Sequence, residues 1–247
     1  MSEIQKELMV SARKFTSIST LINTFERYET ADLKIGSVFG NCGEPCRMYG
    51  GRAGSTRSIK DIVPWDAVNE LNNSGIKFYV TLTNHFLDKD AITQSLKHVE
   101  KLLSISESNG VVVLNRKFAK ILRRHFPDVI LKQSAIANPT SLDSIEKALE
   151  VYDYITLSHN ALDMEIFLLS IPPIIKQKLV LFGNARCAYK CFKLTCYLGC
   201  SQFHFGKEVT SSCTGVSSMK ELKPIPMTIF NISHPIYAHV SKIKYVE

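Results

Sequence analysis

Four cysteines lie close together in the second half of the chain, Cys187, Cys191, Cys196 and Cys200, with the spacing C-x3-C-x4-C-x3-C. Four thiolates can hold a tetrahedral zinc ion or an iron–sulfur cluster, whereas stable disulfides are uncommon in cytosolic proteins. We therefore predict a metal or cluster site, with reduced structural thiols and redox disulfides as the alternatives. If the segment is helical, the first two and the last two cysteines each form an i, i+4 pair.

Cys42 and Cys46 form another C-x3-C pair, in a glycine-rich stretch near the end of an apolar run. They could complete the site of the later four, replace one of its ligands, or act as a redox pair. The alternative is that they are ordinary loop thiols. The sequence leaves all of these interpretations open.

The elements that must position these cysteines alternate between apolar strand-like runs and amphipathic helical patterns. The runs are apolar on both faces, which is typical of a parallel sheet covered by helices. One or two further strands are expected among 226–233 and 239–246. The predicted strands are 34–40, 76–83, 110–115, 128–135, 152–158 and 178–184. The predicted helices are 64–75, 90–110, 116–127, 141–152 and 162–170.

Strand–helix alternation fits a doubly wound sheet or a barrel. The glycine-rich stretch at 38–54 matches neither the dinucleotide-binding nor the phosphate-loop spacing, which disfavours the doubly wound sheet. Six to eight strands in 247 residues favour a compact barrel. We predict an α/β fold, a TIM-like (β/α) barrel with a regular, irregular or incomplete ring. It forms one domain over 1–247, with a cysteine-rich segment at 184–213 on its C-terminal face.

In a barrel, active residues follow the carboxyl ends of the strands. The residues at these positions are rich in amides and poor in carboxylates, so hydrolysis by a carboxylate pair is not indicated. We select Arg52, Asn84, His85 and His159 as candidate catalytic residues. The two histidines follow strands and could contact substrate. Arg52 lies among glycines and could bind an anionic group, or it could form a structural ion pair.

Charge and hydropathy narrow the class of protein. Lys and Arg outnumber Asp and Glu by 30 to 23, which suits a polyanionic partner such as RNA but equally fits a mildly basic surface. No apolar run reaches the length of about 18 residues that a membrane span needs, and no signal-peptide pattern occurs near the start. We expect a cytoplasmic protein without a membrane span.

The stretch at 154–191, YITLSHNALDMEIFLLSIPPIIKQKLVLFGNARCAYKC, resembles the collagenase-like U32 peptidase family. In that family a strand ending in leucine and a small or polar residue leads into a helix with an acidic-x-glutamate-isoleucine start, which 157–166 matches. Asn184, Cys187, Cys191 and His204 loosely match an Asn-x-x-Cys-x-x-x-Cys element followed by histidine. The glycine–arginine loop with Arg52 and the segments at 37–54 and 74–91 extend the resemblance over 34–204.

The resemblance implies a TIM-like barrel and, for some relatives, an iron–sulfur protein in which four cysteines hold a [4Fe–4S] cluster. Such relatives carry out oxygen-independent hydroxylation of tRNA or rRNA bases or of a quinone ring. The leading hypothesis is therefore a [4Fe–4S] enzyme that modifies a nucleic acid base or another ring substrate, with an electron-donor or protein partner. Zinc remains the alternative metal, because the cysteine pairs here are closer together than in those relatives. The alternative functions are a peptidase or other hydrolase, and a non-enzymatic binding module with a structural zinc.

Overall fold

The computed structural model describes residues 6–12, 23, 33–50, 62–158, 164–182, 195–208, 240 and 242–245. Within these residues the strands form one sheet in which every pairing is parallel. The strands are β1 Lys6–Ser11, β2 Leu33–Cys42, β3 Ile62–Val63, β4 Lys77–Leu82, β5 Gly110–Val113, β6 Ile130–Gln133, β7 Tyr154–Thr156, β8 Leu179–Phe182 and β9 Lys242–Tyr245.

The helices of the described residues follow the strands in the alternation that the sequence predicts. A short 3-10 helix, Ala135–Ala137, follows β6. The α-helices are α1 Trp65–Asn73, α2 Lys89–Ile105, α3 Arg116–His125, α4 Leu142–Leu149, α5 Glu165–Ser170, α6 Pro173–Lys176 and α7 Thr195–His204. No helix in these ranges is long and apolar enough to cross a membrane.

Eight of the strands close into a ring. Each pairs with the next in the order β1, β2, β4, β5, β6, β7, β8 and β9, and β9 returns to pair with β1. The short β3 lies outside the ring, on the carboxyl end of β2. The prediction of a TIM-like α/β barrel is therefore confirmed, and the ring is complete.

The six strands predicted from apolar runs correspond to β2 and to β4 through β8, and the predicted stretch at 239–246 contains β9. The prediction did not include β1. In this strand Leu8 and Val10 face the outer core, whereas Glu7 and Met9 face the barrel interior. A short strand with a charged residue on its buried face does not show the continuous apolar pattern of its neighbours. The further strand predicted within 226–233 lies outside the described residues.

Helix starts follow local capping chemistry. The Asp88 carboxylate accepts a hydrogen bond from the Ala91 N–H at 2.8 Å and begins α2. Ser141 and Ser144 form a reciprocal capping box at the start of α4. Such caps satisfy N–H groups that have no partner inside the helix, and each contributes about 1 kcal/mol to stability.

The molecule has two apolar regions separated by the strands. The larger lies between the ring and the helices, where fully buried residues such as Phe118 each contribute about 1.5–3 kcal/mol through removal from water. The smaller lies inside the ring and contains Met9, Phe39, Tyr79, Val112, Val180 and Phe182. Strand β6 shows how neighbouring residues face the two regions. Leu131 belongs to the outer region, and the next residue, Lys132, is buried among the interior residues.

Candidate functional site

The loop after β4 and helix α7 meet at the carboxyl ends of the strands. Asn84 is fully buried there, and its Nδ2 donates to the Ser201 carbonyl oxygen at 3.1 Å. The same amide nitrogen also donates to the carbonyl oxygens of Arg47 at 2.8 Å and Tyr49 at 3.3 Å. The Asn84 side chain therefore joins three segments, namely the loop after β2, the loop after β4 and α7.

His85 contacts the same helix through the Ser201 hydroxyl. The His85 backbone N–H donates to Ser201 Oγ at 3.1 Å, and the His85 Nδ1 lies 2.8 Å from that oxygen. Burial lowers the pKa of His85 from its ordinary value of 6.5, so the imidazole is neutral at pH 7. We call Asn84, His85 and Ser201 the mouth clamp, because they hold α7 against the carboxyl-end loops.

The helix that the mouth clamp holds, α7, carries two of the four clustered cysteines. Cys196 and Cys200 lie one turn apart in this helix, so the prediction of an i, i+4 pair is met for these two by the course of the backbone. Cys187 and Cys191 lie outside the described residues, as do Arg52 and His159. Of the predicted catalytic residues, the structure therefore describes Asn84 and His85, and it brings both against the cysteine-bearing helix.

Cys42 and Cys46 lie in the outer core, behind the strands. Cys42 is fully buried and Cys46 is 3% exposed, with its Sγ 3.5 Å from Ser95 Oγ on α2. Burial raises the pKa of both thiols, and nearby Glu44 raises that of Cys42 further, so both remain protonated at pH 7. Neither takes part in a cluster of three or more His, Cys, Asp or Glu residues that could hold a metal among the described residues. These features are those of structural thiols.

Two buried polar side chains, Tyr49 and His98, contact the main chain of Cys42. The Tyr49 hydroxyl donates to the Cys42 carbonyl oxygen and lies 3.0 Å from His98 Nε2 on α2. The His98 Nε2 lies 3.0 Å from that same carbonyl oxygen. On its other side Tyr49 makes an edge contact with His204 at the end of α7, with ring centroids 6.4 Å apart. Tyr49 thus packs the loop after β2 between α2 and the cysteine-bearing helix.

Aromatic and basic side chains cover the outer side of this junction. The Arg47 guanidinium lies 4.5 Å from the ring centroid of Phe205, and the Lys207 ammonium lies 4.3 Å from that of Phe86. Phe203 is 48% exposed, so its ring faces solvent at this junction. The sequence analysis did not select these residues. The available signal was the alternation of aromatic and basic residues at 203–207, FHFGK.

Ser158 is a second residue that the sequence analysis did not select. It follows β7 directly and is 8% exposed, and its buried hydroxyl has no hydrogen-bond partner. Buried hydroxyls are normally paired, so an unpaired one at the end of a barrel strand is a candidate contact for a bound molecule. It immediately precedes His159 in the chain, so it lies beside a predicted site residue.

No protein-family model matches the chain, and no curated protein matches its sequence. Among solved structures, the U32 peptidase Mk0906 matches with a TM-score of 0.61 and 11% identity, covering 100% of this chain and 94% of that one. The fold is that of a U32-like barrel. A structure named as a glycerophosphodiester phosphodiesterase from Galdieria sulphuraria matches with a TM-score of 0.47 and 10% identity, covering 74% of this chain and 85% of that one.

The match to the U32 peptidase confirms at the level of the fold the resemblance found in the sequence. It extends beyond the 34–204 range in which the sequence resemblance was seen, because the match covers the whole chain. Both of these structural neighbours are named as enzymes. At 11% identity, the likeness shows the fold alone.

Proposed function

We propose that this U32-like barrel is an enzyme with a [4Fe–4S] centre held by Cys187, Cys191, Cys196 and Cys200. The proposal rests on the mouth clamp. A fully buried amide and a buried serine attach the helix with Cys196 and Cys200 to the end of the barrel at which barrel enzymes bind their substrates.

The donor set fits an iron–sulfur cluster chemically. Four cysteine thiolates are the usual ligands of a [4Fe–4S] cluster, and they bind zinc equally well. When bound, the cluster would supply one-electron chemistry, with a protein or small-molecule electron donor as the partner. In this proposal Asn84 and Ser201 are positioning residues, because their groups are used in holding the backbone. His85 stands beside them as a neutral imidazole that can hold or move a proton.

The substrate class that we propose is a nucleic acid base or another ring compound, modified for example by oxygen-independent hydroxylation. The exposed ring of Phe203 can stack on a base, and the cationic group of Lys207 beside the clamp can contact phosphate. The formal net charge of +7 favours association with a polyanion. Arg52 and His159 are proposed to contact substrate, as their positions after predicted strands suggest.

The deciding experiment is elemental analysis of protein prepared without oxygen. It is combined with the absorbance at about 400 nm, where sulfur-to-iron charge-transfer bands lie. The proposal predicts iron and acid-labile sulfide in wild-type protein and their loss in Cys196→Ala and Cys200→Ala. Cys46→Ala is the matched control, because that thiol is buried in the outer core, and it should retain the iron. A colourless, iron-free wild-type protein would overturn the cluster, and one equivalent of zinc would instead support a structural metal.

The RNA contact is tested separately by filter binding of a short single-stranded RNA at several salt concentrations. Phe203→Ala should weaken binding by about tenfold, since stacking on one aromatic ring is worth about 1–3 kcal/mol. Ile174→Ala is the matched control, because Ile174 is an exposed apolar residue on α6. Equal binding by both variants would remove Phe203 from the proposed RNA surface.

A further inference from the structure

The interior of the barrel contains buried charges that play no part in the function proposed above. Glu7 on β1 and Lys242 on β9 are register partners across the closure of the ring, and their carboxylate and ammonium lie 2.5 Å apart. The Ser37 hydroxyl donates to the other oxygen of Glu7 at 2.7 Å. Burial raises the pKa of Glu7, but Lys132, Lys242 and the two hydrogen bonds outweigh it, so the pKa is lowered and the carboxylate stays charged.

Lys132 completes this set, which we call the interior ion cluster: Glu7, Lys132 and Lys242. Lys132 is fully buried, and its Nζ lies 3.1 Å from Met9 Sδ. The same nitrogen lies 3.4 Å from the ring centroid of Tyr79, and the Tyr154 ring lies within cation–π range of both lysines, at 5.4 Å and 4.8 Å. Two ammonium groups and one carboxylate thus share a space lined by aromatic rings.

The backbone makes room for this cluster. A Cβ atom at Gly36 would lie 2.3 Å from Glu7 Cγ, and one at Gly110 would lie 2.5 Å from Tyr79 Cε1 and 2.6 Å from the Ile130 carbonyl oxygen. Real Cβ atoms do not approach other atoms so closely, so a larger residue at either position would displace the polar side chains. Two strands therefore carry glycine where the interior must accommodate Glu7 and Tyr79.

The Tyr79 hydroxyl has no hydrogen-bond partner although the residue is fully buried. Burial raises its pKa, and the negative charge of Glu7 raises it further, so the hydroxyl keeps its proton and can donate. Buried tyrosine hydroxyls normally find an acceptor, because an unpaired one has lost its hydrogen bonds to water. The Tyr79 hydroxyl is therefore a hydrogen-bond donor without an acceptor. The ammonium groups of Lys132 and Lys242 in the same interior favour an acceptor that carries a negative charge.

We propose that the barrel interior is a binding site for a small monovalent anion, chloride or a carboxylate of similar size, which accepts a hydrogen bond from the Tyr79 hydroxyl beside Lys132. The site is separate from the proposed metal centre. Glu7 and Lys242 lie near the amino ends of their strands, whereas α7 and the mouth clamp lie at the carboxyl ends. Occupancy would stabilise the closed ring, because the anion binds only where the strands bring these groups together.

The test compares thermal unfolding in sodium chloride and in sodium gluconate at equal ionic strength, since gluconate is a much larger anion than chloride. The melting temperature should rise with the logarithm of chloride concentration in the wild type. In Tyr79→Phe this rise should be lost, because the variant keeps the ring and removes only the donor. Tyr152→Phe is the matched control: its buried hydroxyl donates to the Leu114 carbonyl oxygen at 3.4 Å, and the residue packs in the outer core, so the rise should remain.

A direct measurement on the wild-type protein does not depend on the variants. Crystals grown in bromide should show an anomalous scattering peak within hydrogen-bond distance of Tyr79 Oη. A water molecule there with no anomalous signal would overturn the proposal, as would a melting temperature that is the same in chloride and gluconate. A chloride effect that persists unchanged in Tyr79→Phe would also overturn it, because the anion would then bind elsewhere.

Discussion

The mouth clamp and the interior ion cluster are both buried polar sites, but they differ in the groups that they use. The mouth clamp joins neutral groups, an amide, a hydroxyl and main-chain carbonyl oxygens. The interior ion cluster joins full charges, of which the Lys242 side chain is 8% exposed and the Glu7 side chain 16%. Removing one partner of a buried neutral hydrogen bond costs about 1–3 kcal/mol, whereas a buried charge that loses its partner costs about 3–5 kcal/mol.

The interior ion cluster and the mouth clamp therefore stabilise different parts of the structure. The interior ion cluster links the first and last strands, so it stabilises the closure of the whole ring. The mouth clamp links loops and one helix on top of a ring that is already closed. We therefore expect damage to the cluster to be global and damage to the clamp to be local. Three measurements test this comparison, and a fourth tests the outer core.

The largest effect is expected from Lys242→Met, which keeps the length of the side chain but removes its charge. It leaves the buried Glu7 carboxylate without its closest partner, so the free energy of unfolding should fall by about 3–5 kcal/mol. Chemical denaturation measures this. Lys147→Met is the control, because Lys147 forms an exposed i, i+4 pair with Asp143 and should cost about 0.3–0.5 kcal/mol. Equal losses would show that the interior pair contributes no more than a surface pair.

Asn84→Ala should have a smaller and more local effect. Three carbonyl oxygens lose their donor, which is expected to cost about 1–3 kcal/mol, and amide hydrogen exchange in α7 should accelerate. Asn109→Ala is the matched control. Asn109 is also a fully buried amide, but it bonds the Phe78 N–H and the Leu102 carbonyl oxygen. If both variants change α7 equally, the mouth clamp does not hold that helix in particular.

As the pH falls, the mouth clamp should lose its contribution to stability before the interior ion cluster does. His85 and His204 have pKa values lowered by burial from 6.5, so the unfolded chain takes up protons first and stability falls as the pH drops below about 6.5. Glu7 has a pKa lowered from 4.5, so its contribution is present above that value and is lost as the pH falls below it. Hydrogen exchange followed against pH should show α7 loosening before the strands. The opposite order would contradict this assignment.

The smallest effect concerns thiol reactivity in the outer core. Cys42 and Cys46 are buried and have raised pKa values, so neither should react with iodoacetamide in the folded protein at pH 7. Both should react once the protein is unfolded, and mass spectrometry of peptides distinguishes the two states. Rapid labelling of either residue in the folded protein would show an accessible thiolate and would reopen the redox interpretation of this pair.

The sequence predicted the barrel because the patterns that reveal strands and helices are local. Continuous apolar runs marked β2 and β4 through β8. It did not predict β1, because Glu7 interrupts the apolar pattern of that strand. The charge of Glu7 makes sense only beside Lys242, and the chain alone does not show that these residues are neighbours.

The candidate site was predictable in part for the same reason. Position after a strand selected Asn84 and His85, and both lie at the carboxyl end of the barrel as expected. Their actual partner, Ser201, could not be selected, since a serine within a helix has no distinctive sequence signal. The roles predicted for Arg52, for His159 and for the four cysteines at 187, 191, 196 and 200 stay predictions. The contacts of Phe203, Arg47 and Lys207 were equally hidden, because surface aromatic and basic residues are common.

The kind and order of the elements follow from local patterns, because hydrophobic periodicity depends on residues a few positions apart. The pairing of polar residues depends on the folded chain. Glu7 finds Lys242 at a separation of 235 residues, and Asn84 finds Ser201 at 117. Those pairs are set by strand register and by the closure of the ring, which bring distant residues together after the local elements have formed.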